Sequence, residues 1–299
     1  MNCLVFDIET VPDVALGRRL FNLEGLADEQ VAKAMFALRR QDTGGEFLPY
    51  EQHRIVAISC VLRSREGLRV WSLGDLGSSE EELVERFFDG IEKFCPDLIS
   101  WNGAGFDLPV LNYRAMRAGV QAPRYWETGD GDTAFRYNNY ISRFHWRHID
   151  LMDVLAGFQS RARVSLEHVA CLLGLPGKLG FSGAQVWDAY LAGNLIGIRR
   201  YCETDVLNTY LVYLRFELMR GRFTRERYAE EVERVRTLLR AGKEPHHVEF
   251  LRAWEEQERE AGIPARAAGA STAANPAASA STAPNPASSA PAATEEPPV

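Results

Sequence analysis

The sequence predicts an α/β domain built on a mixed sheet, followed by a charged helical extension and a disordered tail. Over the first 220 or so residues, short apolar, β-branched runs alternate with helix-like segments, the pattern of a sheet flanked by helices. The beginning is hairpin-rich and the later strands are separated by helices, which makes the sheet mixed. Composition then changes: residues 261–299 contain 15 alanines, 7 of the 14 prolines, no Leu and no aromatic residue. Such a segment cannot bury enough apolar area to offset its ordering entropy.

Residues 3–8 (Cys-Leu-Val-Phe-Asp-Ile) read as the first strand, and a polar, helical insert follows within residues 11–52. Residues 54–62 and 68–73 flank Arg-Glu-Gly as a hairpin. Residues 79–94 open with Ser and three glutamates and stop before Pro96, which marks a helix with an acidic first turn. A short strand (97–101), a helix ending at Gly119 (108–118) and another short strand (148–151) come next. Helices are expected over 165–173, 184–192 and, longest, 196–219. Tyr228, Val232, Val235, Leu238 and Leu239, then Phe250, Leu251 and Trp254, mark two charged helices within 224–260. The expected domains are therefore 1–222, a helical extension at 223–260 and the tail at 261–299.

With 46% hydrophobic and 25% charged residues the chain is globular in composition. No apolar run approaches the roughly 18–20 residues of a membrane helix, and the first residues carry no basic, apolar leader pattern, so no membrane partner is expected. Five scattered cysteines, none in a C-x-x-C pair, read as reduced thiols of a cytoplasmic protein. The net charge of −7 gives no bulk attraction to nucleic acid, although overall charge says nothing about a local site.

Three short segments carry chemistry. Asp7 and Glu9 end the first strand and, by alternation, share a face. Asp107 follows a loop with two glycines and starts a helix, where an aspartate is also an ordinary cap. Tyr201 and Asp205 lie one turn apart on the long helix, among Val206, Leu207 and Tyr210. An unpaired carboxylate on an apolar helix face is costly. Four carboxylates with no lysine cluster to balance them form an oxygen-rich set of the kind that selects Mg²⁺ or Mn²⁺, and two such ions suit phosphoryl displacement.

In this order, Asp7-x-Glu9, Asn102-x-x-x-Phe106-Asp107 and Tyr201-x-x-x-Asp205 resemble the three exonuclease motifs of the DEDD superfamily, in its tyrosine-bearing (DEDDy) branch. The flanking text of residues 6–10, 53–59, 101–103, 173–178 and 201–210 resembles predicted bacterial 3′–5′ exonucleases related to the proofreading domain of family B DNA polymerases. The resemblance implies a ribonuclease H-like fold with a mixed five-stranded sheet. It gives Asp7 to both of two metal ions, Glu9 and Asp205 to the nucleophile-side ion, and Asp107 to the other through water. Tyr201 would orient the attacking water. Its implied substrate is the 3′ end of single-stranded DNA, with Thr10, Asn102, Phe106 and Lys178 in contact with it and 5′-mononucleotides as product.

Weaker signals accompany these. Residues 136–148 interleave basic and aromatic side chains, read equally as a single-strand platform or as a loop completing a core. His145 and His148 lack the further ligands of a zinc site. Asp150 is read first as a helix cap and second as a supporting acid. Residues 174–180 lack the order of a nucleotide-binding phosphate loop because Leu179 follows Lys178. Rival functions are a 3′–5′ exoribonuclease of the same fold and a catalytically silent nucleic-acid-binding module. Loss of a carboxylate would favour the latter, and none is lost.

Overall fold

The computed structural model describes residues 1–260, so the tail expected at 261–299 lies outside the described residues. Five strands, β1 (Cys3–Pro12), β2 (His53–Arg63), β3 (Leu68–Ser72), β4 (Asp97–Ser100) and β5 (His148–Asp150), form one sheet in the order β3-β2-β1-β4-β5. β1, β2 and β3 pair antiparallel, whereas β4 and β5 join in parallel, so the sheet is mixed as expected.

The helices are α1 (Val14–Phe21), α2 (Asp28–Thr43), α3 (Glu80–Phe94), α4 (Asp107–Ala118), α5 (Pro123–Trp126) and α6 (Leu151–Leu155). They continue with α7 (Leu166–Leu172), α8 (Val186–Leu191), α9 (Leu195–Met219), α10 (Arg225–Ala241) and α11 (Pro245–Glu260). Ser79 caps α3 by accepting from Glu82 N, and Glu80, Glu81 and Glu82 fill its first turn, where carboxylates oppose the positive end of the helix dipole.

Alternation along β1 divides the core. Leu4, Phe6 and Ile8 face α3 and α4, with Val84, Phe87, Ile91, Val110 and Leu111. Cys3 and Val5 face α9, with Val206, Leu207, Tyr210 and Leu214. Val235 and Leu239 of α10 and Phe250, Leu251 and Trp254 of α11 belong to this second cluster, so 223–260 packs against α9 through an apolar stripe. The described residues thus share one compact body.

The insert carries a polar anchor. Arg114 of α4, almost fully enclosed, pairs with Asp13 before α1 at 2.7 Å and with Glu80 of α3, and Glu80 also accepts from Ile55 N of β2 at 2.6 Å. A buried guanidinium needs such partners, and here it ties the insert, two helices and the sheet together. The register of β1 against β2 shifts between Glu9 and Thr10, a bulge at the strand end that carries the carboxylates.

Candidate active site

Asp7 and Glu9 leave β1 on the side occupied by Cys202, and one ligand atom from each of the three lies within 4.8 Å of the others. Asp107 reaches the same strand end from α4. Its carboxylate accepts from Ile8 N at 3.1 Å across 99 residues of sequence, while Phe106, with no side-chain bond, occupies the cap position. The cap reading of Asp107 is therefore corrected: Phe106 holds the cap position, Asp107 is the first residue of α4, and its carboxylate accepts from Ile8 N of β1 as well as from its own N–H.

Asp205 and Tyr201 face this group from α9. Burial, then the neighbouring charges of Asp107, Glu9 and Asp205, hold Asp7 well above the usual carboxylate range. Burial and the charges of Asp205 and Asp107 do the same to Glu9. Asp107 is pushed up to about 7 by burial, against the hydrogen bond from Ile8. Asp205 is pushed up to about 6, again by burial, with Tyr201 and Lys178 pulling it down. Burial and these carboxylates raise the Tyr201 phenol far above its ordinary value, so at neutral pH it is a hydrogen-bond donor and no base. Cys202 is affected in the same sense, and its thiol donates to Asp7 at 3.4–3.6 Å. A protonated thiol is no ligand for a hard cation.

The remaining donor set is four carboxylates, crowded and partly desolvated, with the exposed Lys178 the cation that pulls Glu9 and Asp205 down. That set fits divalent cations with oxygen preference, whose charge would offset the burial that raises all four groups and the repulsion that adds to it at Asp7 and Glu9.

The sequence matches a family described as predicted 3′–5′ exonucleases related to the exonuclease domain of PolB over residues 45–254. The chain belongs to this family. It is 27% identical over 238 residues to a DNA polymerase of Pyrococcus glycovorans, covering 74% of this chain and 29% of that protein. The family B DNA polymerase of the archaeon Pyrobaculum calidifontis aligns in structure with a TM-score of 0.44 and 18% identity, over 73% of this chain and 24% of that one. The chain thus matches less than a third of the length of either polymerase.

The other sequence candidates divide. Lys178 rides a loop fastened to α9 by Asn208, which accepts from Gly177 N and donates to Gly177 O at 2.9 Å. Thr10 Oγ1 lies 2.8 Å from His53 Nδ1, a partner the sequence reading did not foresee, and His53 Nε2 lies 3.2 Å from Leu48 O. Asn102 heads the loop that delivers Asp107, at φ +65°, with its N–H and that of Ala104 held by the Asp150 carboxylate at 2.9 and 3.0 Å. Asp150 also accepts from Met152 N at the start of α6, so the cap reading holds and the carboxylate does a second job. Gly103 is required by contact: a Cβ there would meet the Ser100 side chain at 2.3–2.5 Å.

Phe106 packs edge-on against His53 and Phe47, with ring centroids 5.0 and 5.4 Å away, and Tyr50 lies at 6.4 Å. Sequence reasoning missed this aromatic wall because Phe47 and Tyr50 belong to the insert, although exposed aromatics in a polar segment were a signal available to it.

The 136–148 segment is half core. Tyr140 is buried and donates to Pro96 O at 2.7 Å, and Phe135 lies under Arg147, while Tyr137 and Phe144 are 83% and 70% exposed. His148 is bound to Ser100 Oγ at 2.8 Å and His145 Nδ1 accepts from Asn139 N, so the two histidines form no metal pair. Among the described residues, no helix is long and apolar enough to cross a membrane.

Proposed function

We propose that this chain is a divalent-metal-dependent 3′–5′ exonuclease that removes 5′-mononucleotides from the 3′ end of single-stranded DNA. The observation that carries the reading is the convergence of Asp7, Glu9, Asp107 and Asp205 with Tyr201, four buried or half-buried acids raised first by burial and, for Asp7 and Glu9, by their neighbours' charge, with Lys178 the one cation acting on Glu9 and Asp205. Two Mg²⁺ or Mn²⁺ ions held by these carboxylates would activate a water and stabilise the leaving oxygen of an in-line displacement.

The chain's own groups supply the rest. Tyr201, protonated and braced by Asp205, orients the attacking water as a donor. Lys178, beside Glu9 and Asp205, meets the scissile phosphate as a point charge. The bulged strand end turns Thr10 toward the terminal 3′-hydroxyl, with His53 behind it. Phe106, Phe47 and Tyr50 offer a face on which the terminal base stacks, an interaction worth about 1–3 kcal/mol and tolerant of sequence. Asn102, through its backbone, holds the loop that sets Phe106 and Asp107. On this reading residues 1–222 hold the chemistry and 223–260 brace α9.

End-labelled single- and double-stranded DNA and RNA, incubated with Mg²⁺, Mn²⁺ or chelator, test the proposal. Stepwise shortening of single-stranded DNA from its 3′ end is expected with either ion and none with chelator. Asp7→Ala is expected to fold and to lose activity, since it removes the acid nearest the centre of the cluster. Undiminished turnover by that variant, or turnover in chelator, overturns the assignment. Faster shortening of RNA would replace DNA as the substrate.

A further inference from the structure

A second group of metal-ligating side chains lies outside the carboxylate cluster. Glu203 of α9 and the adjacent His246 and His247 at the start of α11 each present one ligand atom, all within 4.8 Å of one another. Both imidazoles are more than nine-tenths buried, at 8% and 6% exposure. Glu203 Oε1 is occupied by the Ser72 hydroxyl of β3 at 2.7 Å, which turns Oε2 toward the histidines. Oε2 lies 2.7 Å from His246 Nε2 and 3.3 Å from His247 Nε2. The second contact is too poorly aligned for a hydrogen bond, and His247 Nε2 is enclosed without any partner. Two imidazoles with ring centroids 4.2 Å apart therefore converge on one carboxylate oxygen that satisfies only one of them. An interior polar nitrogen left in that state calls for an explanation.

We propose that Glu203, His246 and His247 form a Zn²⁺ site that fastens α11 to α9 and β3. Two imidazole nitrogens and one carboxylate oxygen suit a borderline cation, in contrast to the oxygen-only cluster around Asp7, and water completes the tetrahedron. Ligands about 2.0–2.1 Å from a tetrahedral ion stand about 3.3 Å apart. His247 Nε2 and Glu203 Oε2 already have that separation, at 3.3 Å. His246 Nε2 must open from 2.7 Å, a side-chain movement of roughly half an ångström for the geometry to close. Ser72 fixes the carboxylate as an outer partner, the arrangement that orients a ligand toward its ion. The site does not depend on the exonuclease reading, because its donors take no part in that chemistry.

The test uses the full-length chain carrying Asp7→Ala, which cripples the carboxylate cluster and leaves this one. Protein stripped by chelator, loaded with Zn²⁺ and desalted should retain about one equivalent by mass spectrometry and melt several degrees higher than the stripped form. Loaded with Co²⁺ instead, it should show the intense visible absorption of a four-coordinate site. His247→Gln and Glu203→Gln, each in the same background, should lose the equivalent, the absorption and the melting shift, while His247→Cys, which restores a ligand, should regain them. If His247→Gln does not fold by circular dichroism, Glu203→Gln decides, since its amide oxygen can still accept from Ser72. Failure of the parent to retain zinc, or retention unchanged in the variants, overturns the proposal.

Discussion

Tyr201 and Asp205 sit one helical turn apart, yet the surroundings give them different work. Burial and three carboxylates keep the phenol protonated, while Asp205 keeps a charge-bearing oxygen among the acids. Tyr201→Phe is therefore expected to lower kcat about 10–1,000-fold, the range for one positioned donor, with little change in KM or in the Mg²⁺ concentration for half-maximal rate. Asp205→Asn should move that midpoint upward and cost more rate. A Mg²⁺ titration of both variants checks the roles, and a midpoint shift in Tyr201→Phe as large as that of Asp205→Asn would reverse them. At this scale the sequence shows why Asp7 and Glu9 share a face, because alternation is a local property of a strand. It cannot show that Asp107 bonds Ile8 N or that Thr10 meets His53, since both partners arrive from distant parts of the chain.

Among the elements, those with strong periodicity were legible: β1 to β3, α3, α4 and α9 fall where apolar spacing and turn residues put them. The four-residue α5 and five-residue α6 were not, being too short to display a period. Nor was the bulge, which exists only in the pairing of β1 with β2. The insert was legible as helical but not as part of the site, because its links to the domain, the Arg114 ion pairs and the packing of Phe47 and Tyr50 on Phe106, join residues distant in sequence. Arg114→Ala leaves the buried carboxylates of Asp13 and Glu80 without their cation, and is expected to destabilise the fold by about 3–5 kcal/mol. Combining Arg114→Met with Asp13→Asn and Glu80→Gln should recover much of that loss. Urea unfolding of the single and triple variants measures both effects, and equal stability of Arg114→Ala and wild type would remove the anchor from the account.

For the whole molecule, the raised carboxylates couple stability to pH and, on the proposed function, to metal. An unfolded carboxyl titrates near 4, as roughly expected of model peptides, whereas Asp107 is held at about 7 and Asp7 and Glu9 are also well raised. Between pH 6.5 and 8 the folded state thus still binds protons that the unfolded chain has released, so metal-free stability falls as pH rises. Below about pH 6.5 the buried His148, pushed down to about 4, contributes the opposite slope, because the unfolded imidazole gains a proton there first. Thermal melts in chelator should therefore decline from pH 6.5 to 8, and saturating Mg²⁺ should flatten the decline by favouring the ionised forms. A chelator curve that rises over this interval contradicts the picture.

The three acids that close the cluster stand far apart along the chain, at positions 7, 107 and 205, and β1 pairs with β4 across a similar gap, Cys3 opposite Asp97. Contacts of such long range require slow, entropically costly loop closures, and the last of them waits for α9. Asp7 and Glu9 are synthesised well before Asp205, and the cluster cannot assemble until Asp205 has been made and docked. On the proposed function, growing chains arrested before α9 should lack nuclease activity, which should appear in a single step once α9 has docked.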